Sequence, residues 1–167
     1  MSFDGSGDYL TARTSPLYAF GTGDFTIETW VYFNTLAQYD CIVDFRPSGV
    51  SSGYPTIYIE TGNVLVYYVN SAIRITGSAV STGIWYHLAV ARSGTSTKMF
   101  LNGTQTGSTY TDTNSYLAAN PLTIGGLGFN NPGLYALDGY LQDFRITTGI
   151  ARYTANFTAP TAAFKLR

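Results

Sequence analysis

The chain has 167 residues, the length of one domain with room for a substantial core, and residues 1–167 read as a single unit. With 45% hydrophobic and only 11% charged residues, its surface must be built from Ser, Thr, Asn and Gly more than from Lys and Glu. Nine Lys and Arg against ten Asp and Glu give a formal net charge of −1, which leaves no long-range field to draw in nucleic acid or an anionic membrane.

The opening MSFDGSGDYL has neither a basic stretch nor an apolar core, and no apolar run in the chain approaches membrane-spanning length. Export by a cleaved signal is therefore not expected from this segment, unless the chain is a domain whose signal lies elsewhere. In DFTIETWVYF, Asp24 to Phe33, one face carries Phe25, Ile27 and Val31 and the other Trp30 and Tyr32, which predicts a strand buried on both sides. Asp40 to Arg46, Thr56 to Glu60, Asn63 to Val69 and Ala72 to Thr76 follow as an antiparallel meander, turning at Thr61-Gly62 and Asn70-Ser71. Cys41, beside Ile42 and Val43, reads as a buried inert thiol; as the only cysteine it excludes an internal disulfide and multi-cysteine zinc patterns.

Ile84 to Arg92 predicts a longer strand, Ser93-Gly94-Thr95 a turn, and Thr97 to Leu101 a strand ending at Asn102-Gly103, a strong hairpin signal after which Thr104 to Thr109 can pair back. Pro121 to Gly125 reads as a short strand. In Leu137 to Thr147 the alternation sets Gln142, Phe144 and Ile146 against Leu141, Asp143 and Arg145. The Gly-rich run from Gly125 to Gly133 lacks a following Lys-Ser/Thr and a helix start, so it reads as a loop and not as a phosphate cradle. No window of helical length shows a 3.6 period, which leaves at most a stray helical turn. About a dozen short strands with Gly-rich turns specify an all-β sandwich or barrel.

Chemistry-bearing residues are sparse. Glu28 and Glu60 are the only glutamates and sit in no acid cluster, while the aspartates are dispersed and mostly suit turns. His87 is the only histidine; it excludes a His-based zinc site, lacks a G-x-S-x-G partner, and reads as a hydrogen-bonded structural residue in mid-strand. Trp30 and Trp85 offer flat faces for a sugar ring, but their apolar strands favour core packing. Tyr39, Tyr54, Tyr110, Tyr116, Phe129 and Tyr135 fall in predicted loops near Ser, Asn, Asp or Gly. Aromatic rings beside planar polar groups are the chemistry of sugar recognition, and loop tyrosines also cover cores; both readings stand at this level.

FTIETWVYF at Phe25 to Phe33, WYHLAVARSGTSTKMFLNG at Trp85 to Gly103 and LDGYLQDFRITTGIARYTANFTAP at Leu137 to Pro160 resemble the concanavalin A-like lectin/glucanase superfamily in its laminin G-like branch. FDGSGDYL at Phe3 to Leu10 is similar to the first strand of these domains, and FRITTGIARYTANFTAP resembles a version common in bacteriophage and marine bacterial surface proteins. The resemblance implies a two-sheet antiparallel jelly-roll sandwich that binds carbohydrate or protein, on a virion surface or outside the cell. Glucanase members carry an E-x-D-x-E strand, whereas Glu28 is followed here by Thr29-Trp30-Val31-Tyr32, so no enzyme is expected. Many relatives also place a calcium-holding aspartate three residues before the arginine of the last strand, where this chain has Gln142 with Asp143 beside it. Losing that charge predicts at most a weak calcium site, with Asp4, Asp8 and Gln142 as candidate ligands, and no other cofactor. Asp143 projects away from Gln142 unless a bulge re-aims it.

The expectation is a non-catalytic carbohydrate-binding or adhesion module, for receptor recognition on a phage tail fibre or a cell-surface protein, with a glycan or host-surface receptor as partner. The alternative is a virion structural or decoration domain that binds other protein subunits. Weak single-site sugar affinity is raised by multivalency, which makes a homo-oligomer a functional expectation.

Overall fold

The computed structural model describes residues 1–119, 121–128 and 135–164. Among the described residues twelve strands form two six-stranded sheets in which every pairing is antiparallel. The first sheet takes β1 (Ser2–Asp4), β12 (Asp138–Thr148), β3 (Phe25–Phe33), β8 (Trp85–Ser93), β9 (Ser96–Leu101) and β10 (Thr104–Thr111), in that order. The second takes β2 (Leu10–Ala12), β11 (Leu122–Ile124), β4 (Cys41–Asp44), β5 (Thr56–Glu60), β6 (Val64–Val69) and β7 (Ala72–Ala79). Among the described residues the one helical element is a three-residue 3-10 turn, Pro16–Tyr18, capped by the Ser15 hydroxyl. This is the all-β two-sheet jelly-roll sandwich that the resemblance implies, one of the two architectures, sandwich or barrel, that the strand pattern leaves open.

Local chemistry explains most of the boundaries. Asn102 and Gly103 both take positive φ, 51° and 80°, the backbone a two-residue hairpin of favoured twist requires. Phe25, Ile27, Val31 and Phe33 of β3 point inward and meet Ile57, Leu65 and Tyr67 across the sandwich, all nearly inaccessible to solvent. Where β7 and β10 meet at one edge, the Ser78 amide donates to Thr106 Oγ1 at 2.6 Å. Gly107 makes that approach possible: its φ is 70°, and a Cβ there would lie 2.4 Å from the Thr76 carbonyl oxygen.

Four expectations need correction. Phe3 to Leu10 is not one strand; the turn at Asp4–Gly7, in which Asp4 Oδ1 accepts from the Ser6 amide at 2.8 Å, sends β1 and β2 into different sheets. In β12 a register shift between Gln142 and Arg145, with Asp143 at φ 52°, resets the alternation. Leu141, Phe144 and Ile146 pack toward the core, whereas Gln142 and Arg145 pair with Trp30 and Glu28 on the outer face. Trp30 and Trp85 are not core residues: Trp30 is half-buried on the outer face and Trp85 is 40% exposed, because that face is only partly roofed. His87 is fully buried, yet among the described residues neither ring nitrogen has a hydrogen-bond partner; Nε2 stands 3.4 Å from Glu28 Oε2 and ring edges surround the rest.

The roof over that outer face is the chain's own segment 150–164. It enters at Thr26, whose hydroxyl donates to the Ile150 carbonyl and accepts from the Arg152 amide, each at 2.9 Å. Lys98 Nζ then donates to the Thr154 carbonyl at 2.7 Å, and the Phe157 amide to the Gly103 carbonyl at 2.8 Å. Tyr153 and Phe157 stack at 3.6 Å and lie on Phe100, Ala89 and Ala91.

Candidate functional site

Each outer face of the sandwich has a place where aromatic rings and polar groups come together. On the second sheet, strand alternation sends Tyr58 and Glu60 of β5 and Tyr68 of β6 outward, while loops bring Tyr39 and Tyr135 up as walls. With Arg46 and Leu127 these enclose a cavity of about 370 Å³. The rings form a chain of edge and tilted contacts: Tyr39–Tyr135 at 5.2 Å, Tyr39–Tyr58 at 5.8 Å and Tyr58–Tyr68 at 6.0 Å between centroids. Tyr39 reaches this position at φ 76°, a left-handed conformation that costs a non-glycine residue about 1–3 kcal/mol and that its backbone bond to the Ile59 carbonyl, 2.7 Å, helps to hold.

The polar side of the pocket is built on ion pairing beneath it. Arg46 donates from Nε and Nη2 to the two oxygens of the buried Asp44 carboxylate at 2.8 and 3.0 Å, Thr56 Oγ1 donates to Asp44 at 2.8 Å, and the guanidinium carbon lies 5.1 Å from the Tyr68 ring centre. Burial pushes the Glu60 carboxyl up, but the Thr61 amide at 2.8 Å, Gln38 and the Thr61 hydroxyl outweigh it and hold the group below its ordinary value, so it is an acceptor at neutral pH. Burial, with Glu60 nearby, drives the Tyr58 phenol up, so it stays a donor. Cys41 lies under the floor, fully buried, where desolvation raises the thiol well above its usual range and makes it inert.

Of the six aromatic residues singled out in the sequence, the pocket gathers Tyr39 and Tyr135. Tyr54 and Tyr116 belong to the core between the sheets. Tyr116 is buried there because its hydroxyl donates to Asp112 at 2.7 Å and accepts from Tyr67 at 2.8 Å, a network that also takes in Thr97 and positions the loop after β10. Tyr110 is half-buried beneath the Arg74 guanidinium, 5.5 Å from its ring centre, and Phe129 lies outside the described residues. The pocket's other lining residues were missed because Tyr58, Tyr68 and Glu60 sit within regular strands, and only the outward phase of β5 and β6 could have flagged them.

The candidate calcium ligands do not converge. Asp4 pairs with Asp138, four residues along β12 from Gln142, which at about 3.3 Å per residue separates them by about 13 Å. Asp8 lines a separate small hollow with Tyr9 and Leu10. Among the described residues no group of three or more His, Cys, Asp or Glu side chains could share a metal ion.

On the first sheet the outer face divides in two. Under the tail, Glu28 is buried; Arg145 Nε and Tyr153 Oη donate to its two oxygens at 2.8 Å each, and Arg152 Nε is 3.7 Å away. Burial pushes this carboxyl up, but His87, Arg145 and Tyr153 outweigh it and hold the group below its ordinary value. The Tyr153 phenol, buried against that carboxylate, is pushed up to about 12. Beyond the tail, Tyr32, Trp85 and Tyr140 remain open, with Tyr140 41% exposed.

A family model described as the concanavalin A-like lectin/glucanases superfamily, of laminin G type, matches residues 4–150. No curated protein matches the chain in sequence. Similar solved structures include a heptameric SAP-like pentraxin from Limulus polyphemus, 17% identical over 87% of this chain and 73% of that one, with TM-score 0.63. Domain 4 of an extracellular arabinanase from Geobacillus stearothermophilus, in complex with arabinotriose, is 17% identical over 86% of this chain and 68% of that one, with TM-score 0.63. The CBM40 of the Ruminococcus gnavus IT-sialidase, bound to alpha2,3 sialyllactose, is 11% identical over 89% of this chain and 95% of that one, with TM-score 0.65. At these identities the likeness is one of fold.

Proposed function

The chain belongs to the concanavalin A-like lectin/glucanase superfamily, and from that we propose that it is a non-catalytic carbohydrate-binding module whose sugar enters the tyrosine pocket of the second sheet. The observation that carries this reading is the combination of four tyrosines with Arg46 and Glu60 in one cavity. Phenol rings present flat apolar faces to sugar C–H groups, while Glu60 and the phenol hydroxyls offer acceptors and donors to sugar hydroxyls. Two of the similar folds, the arabinanase domain and the CBM40, are seen with a sugar bound, which supports the substrate class.

The acid inventory supports a binding role over hydrolysis. Glycoside hydrolysis needs two carboxyls flanking one bond, about 5–10 Å apart. Glu28 and Glu60 lie on opposite faces of the sandwich, Glu28 is sealed beneath the tail, and Glu60 is the one carboxylate that lines the pocket. The module acts in our reading as the receptor-recognition or adhesion part of a virion or cell-surface protein, and avidity across several copies supplies what one shallow site lacks.

A glycan array on the purified chain is the test. Saturable binding to one sugar class, lost in Tyr39→Ala and Tyr135→Ala with the fold intact, is the expected result. Complete silence, joined to co-purification with particle proteins, would overturn it in favour of a decoration role.

A further inference from the structure

We infer that the open half of the first sheet's outer face is a second, separate ligand site, a groove for a run of uncharged sugar units. Trp30, Trp85, Gln142 and Asp143 line a cavity of about 570 Å³, bounded on its far side by residues 158–163 of the tail. A second cavity of 350 Å³ continues it past Tyr140 and shares Trp85, Gln142 and Asp143, so the two make one groove. Trp85 and Tyr140, 6.4 Å apart between centroids, line it, and Tyr32 packs against both at 5.5 and 5.7 Å, so aromatic rings from three strands support the groove.

Two features show what this groove selects. First, the β12 bulge brings Asp143 to the rim beside Gln142 at φ 52°, a strained backbone, and no side chain of a described residue pairs with either polar group. A carboxylate and an amide that line one cavity with two indoles suit hydroxyl-rich rings: the indoles take the C–H faces, and the polar pair takes the hydroxyls. Second, among the described residues neither cavity is lined by Lys or Arg and Asp143 is the one ionised side chain in either lining; the Met1 ammonium borders the second cavity and donates to the Leu141 carbonyl at 2.8 Å. Arg145, two residues further along β12, is held by Glu28 at 2.7 Å and lies 4.2 Å from the Phe164 ring centre. In the larger cavity sialic acids, uronates and sulfated sugars would meet the Asp143 carboxylate with no cation among the described lining residues, so the groove favours neutral chains over acidic ones. The joined, open shape fits consecutive rings of a chain better than a single sugar. This site stands independently of the tyrosine pocket, on the opposite face, and the two together would let one module bridge two glycans.

The experiment uses a built-in reporter. Trp30 and Trp85 are the only tryptophans, and neither lies near the tyrosine pocket, so tryptophan emission reads this groove alone. The purified chain is titrated with neutral hexasaccharides (gluco-, manno-, galacto- and xylo-configured) and with oligogalacturonate as the acidic control. A saturable emission change with a neutral series and none with oligogalacturonate is expected. Gln142→Ala, which keeps both reporters, should weaken that binding roughly tenfold or more, while Tyr39→Ala leaves it unchanged. No emission change at millimolar sugar across the neutral panel, an equal response to oligogalacturonate, or a response indifferent to Gln142→Ala would each overturn the proposal. Array binding that depends on Tyr39 without any tryptophan response would sink this site and leave the first; a tryptophan response without Tyr39 dependence would do the reverse.

Discussion

The two outer faces of this sandwich are built from the same material, outward-pointing aromatic residues around one glutamate, and they end in different states. On the first sheet the tail lays Tyr153, Phe157 and Phe164 over His87 and Glu28, and the charged groups there pair with one another. On the second, Tyr39 and Tyr135 stand as walls and leave Glu60 facing a cavity. The comparison teaches that a carboxylate among aromatic rings is neither a structural nor a binding feature by composition. It becomes one or the other according to whether a segment distant in the chain closes over it.

The largest effect that tests this contrast is Glu28→Ala. Removing the carboxylate leaves Arg145 and Arg152 uncompensated under the tail, a change that costs about 3–5 kcal/mol when a buried pair is broken. Urea unfolding of the variant measures it; stability equal to wild type would mean that Glu28 does not hold the tail and that the two faces differ less than described. The same carboxyl sets an acid limb. Its folded pKa lies below the ordinary value, so near pH 4 the unfolded chain binds more protons than the folded one, and stability falls as pH drops from about 4.5 through the folded pKa. Unfolding midpoints measured between pH 2 and 6 should show that limb in wild type and a shallower one in Glu28→Ala.

A smaller effect belongs to Trp85→Ala. Its ring is 40% exposed, so truncation should cost about 1 kcal/mol or less, well under the 3–5 kcal/mol of a core tryptophan. A loss in the core range, read by thermal melting, would show that the open half of the first face is packed and not free. Smallest of all is Tyr39→Gly. Relief of the left-handed backbone offsets the lost ring contacts, and net stability should stay within about 0.5 kcal/mol while binding at the pocket disappears. If melting and sugar binding fall together, Tyr39 is a wall of the fold more than of the site.

Much of the architecture was legible before the structure. Turn dipeptides such as Asn102-Gly103 and the two-residue phase of β3, β5 and β8 depend on backbone sterics and on neighbours two residues apart, so a reading of the chain alone finds them. The same logic located Tyr39 and Tyr135 among polar loop residues, and it separated Trp30 and Tyr32 from the inward residues of β3. Tyr116 shows its limit: an aromatic residue beside Asn114 and Ser115 reads as exposed, yet its hydroxyl completes the buried Asp112 network, and nothing local announces that.

What remained was decided by contacts between distant residues. Composition and periodicity determined that this chain folds from short strands around a common core, as a sandwich or a barrel, because apolar alternation leaves few other ways to bury it. They did not determine which outward residues stay outward and free. That Glu28 lies beneath Tyr153, 125 residues later, while Trp85 stays open beside Tyr140, follows from the path of the tail after Thr148. The phase of β12 likewise depends on a bulge formed against β3, which moves Phe144 and Ile146 inward and Asp143 to the rim. Each of these is a choice between conformations that are locally equivalent, and the packing of whole sheets and segments makes it.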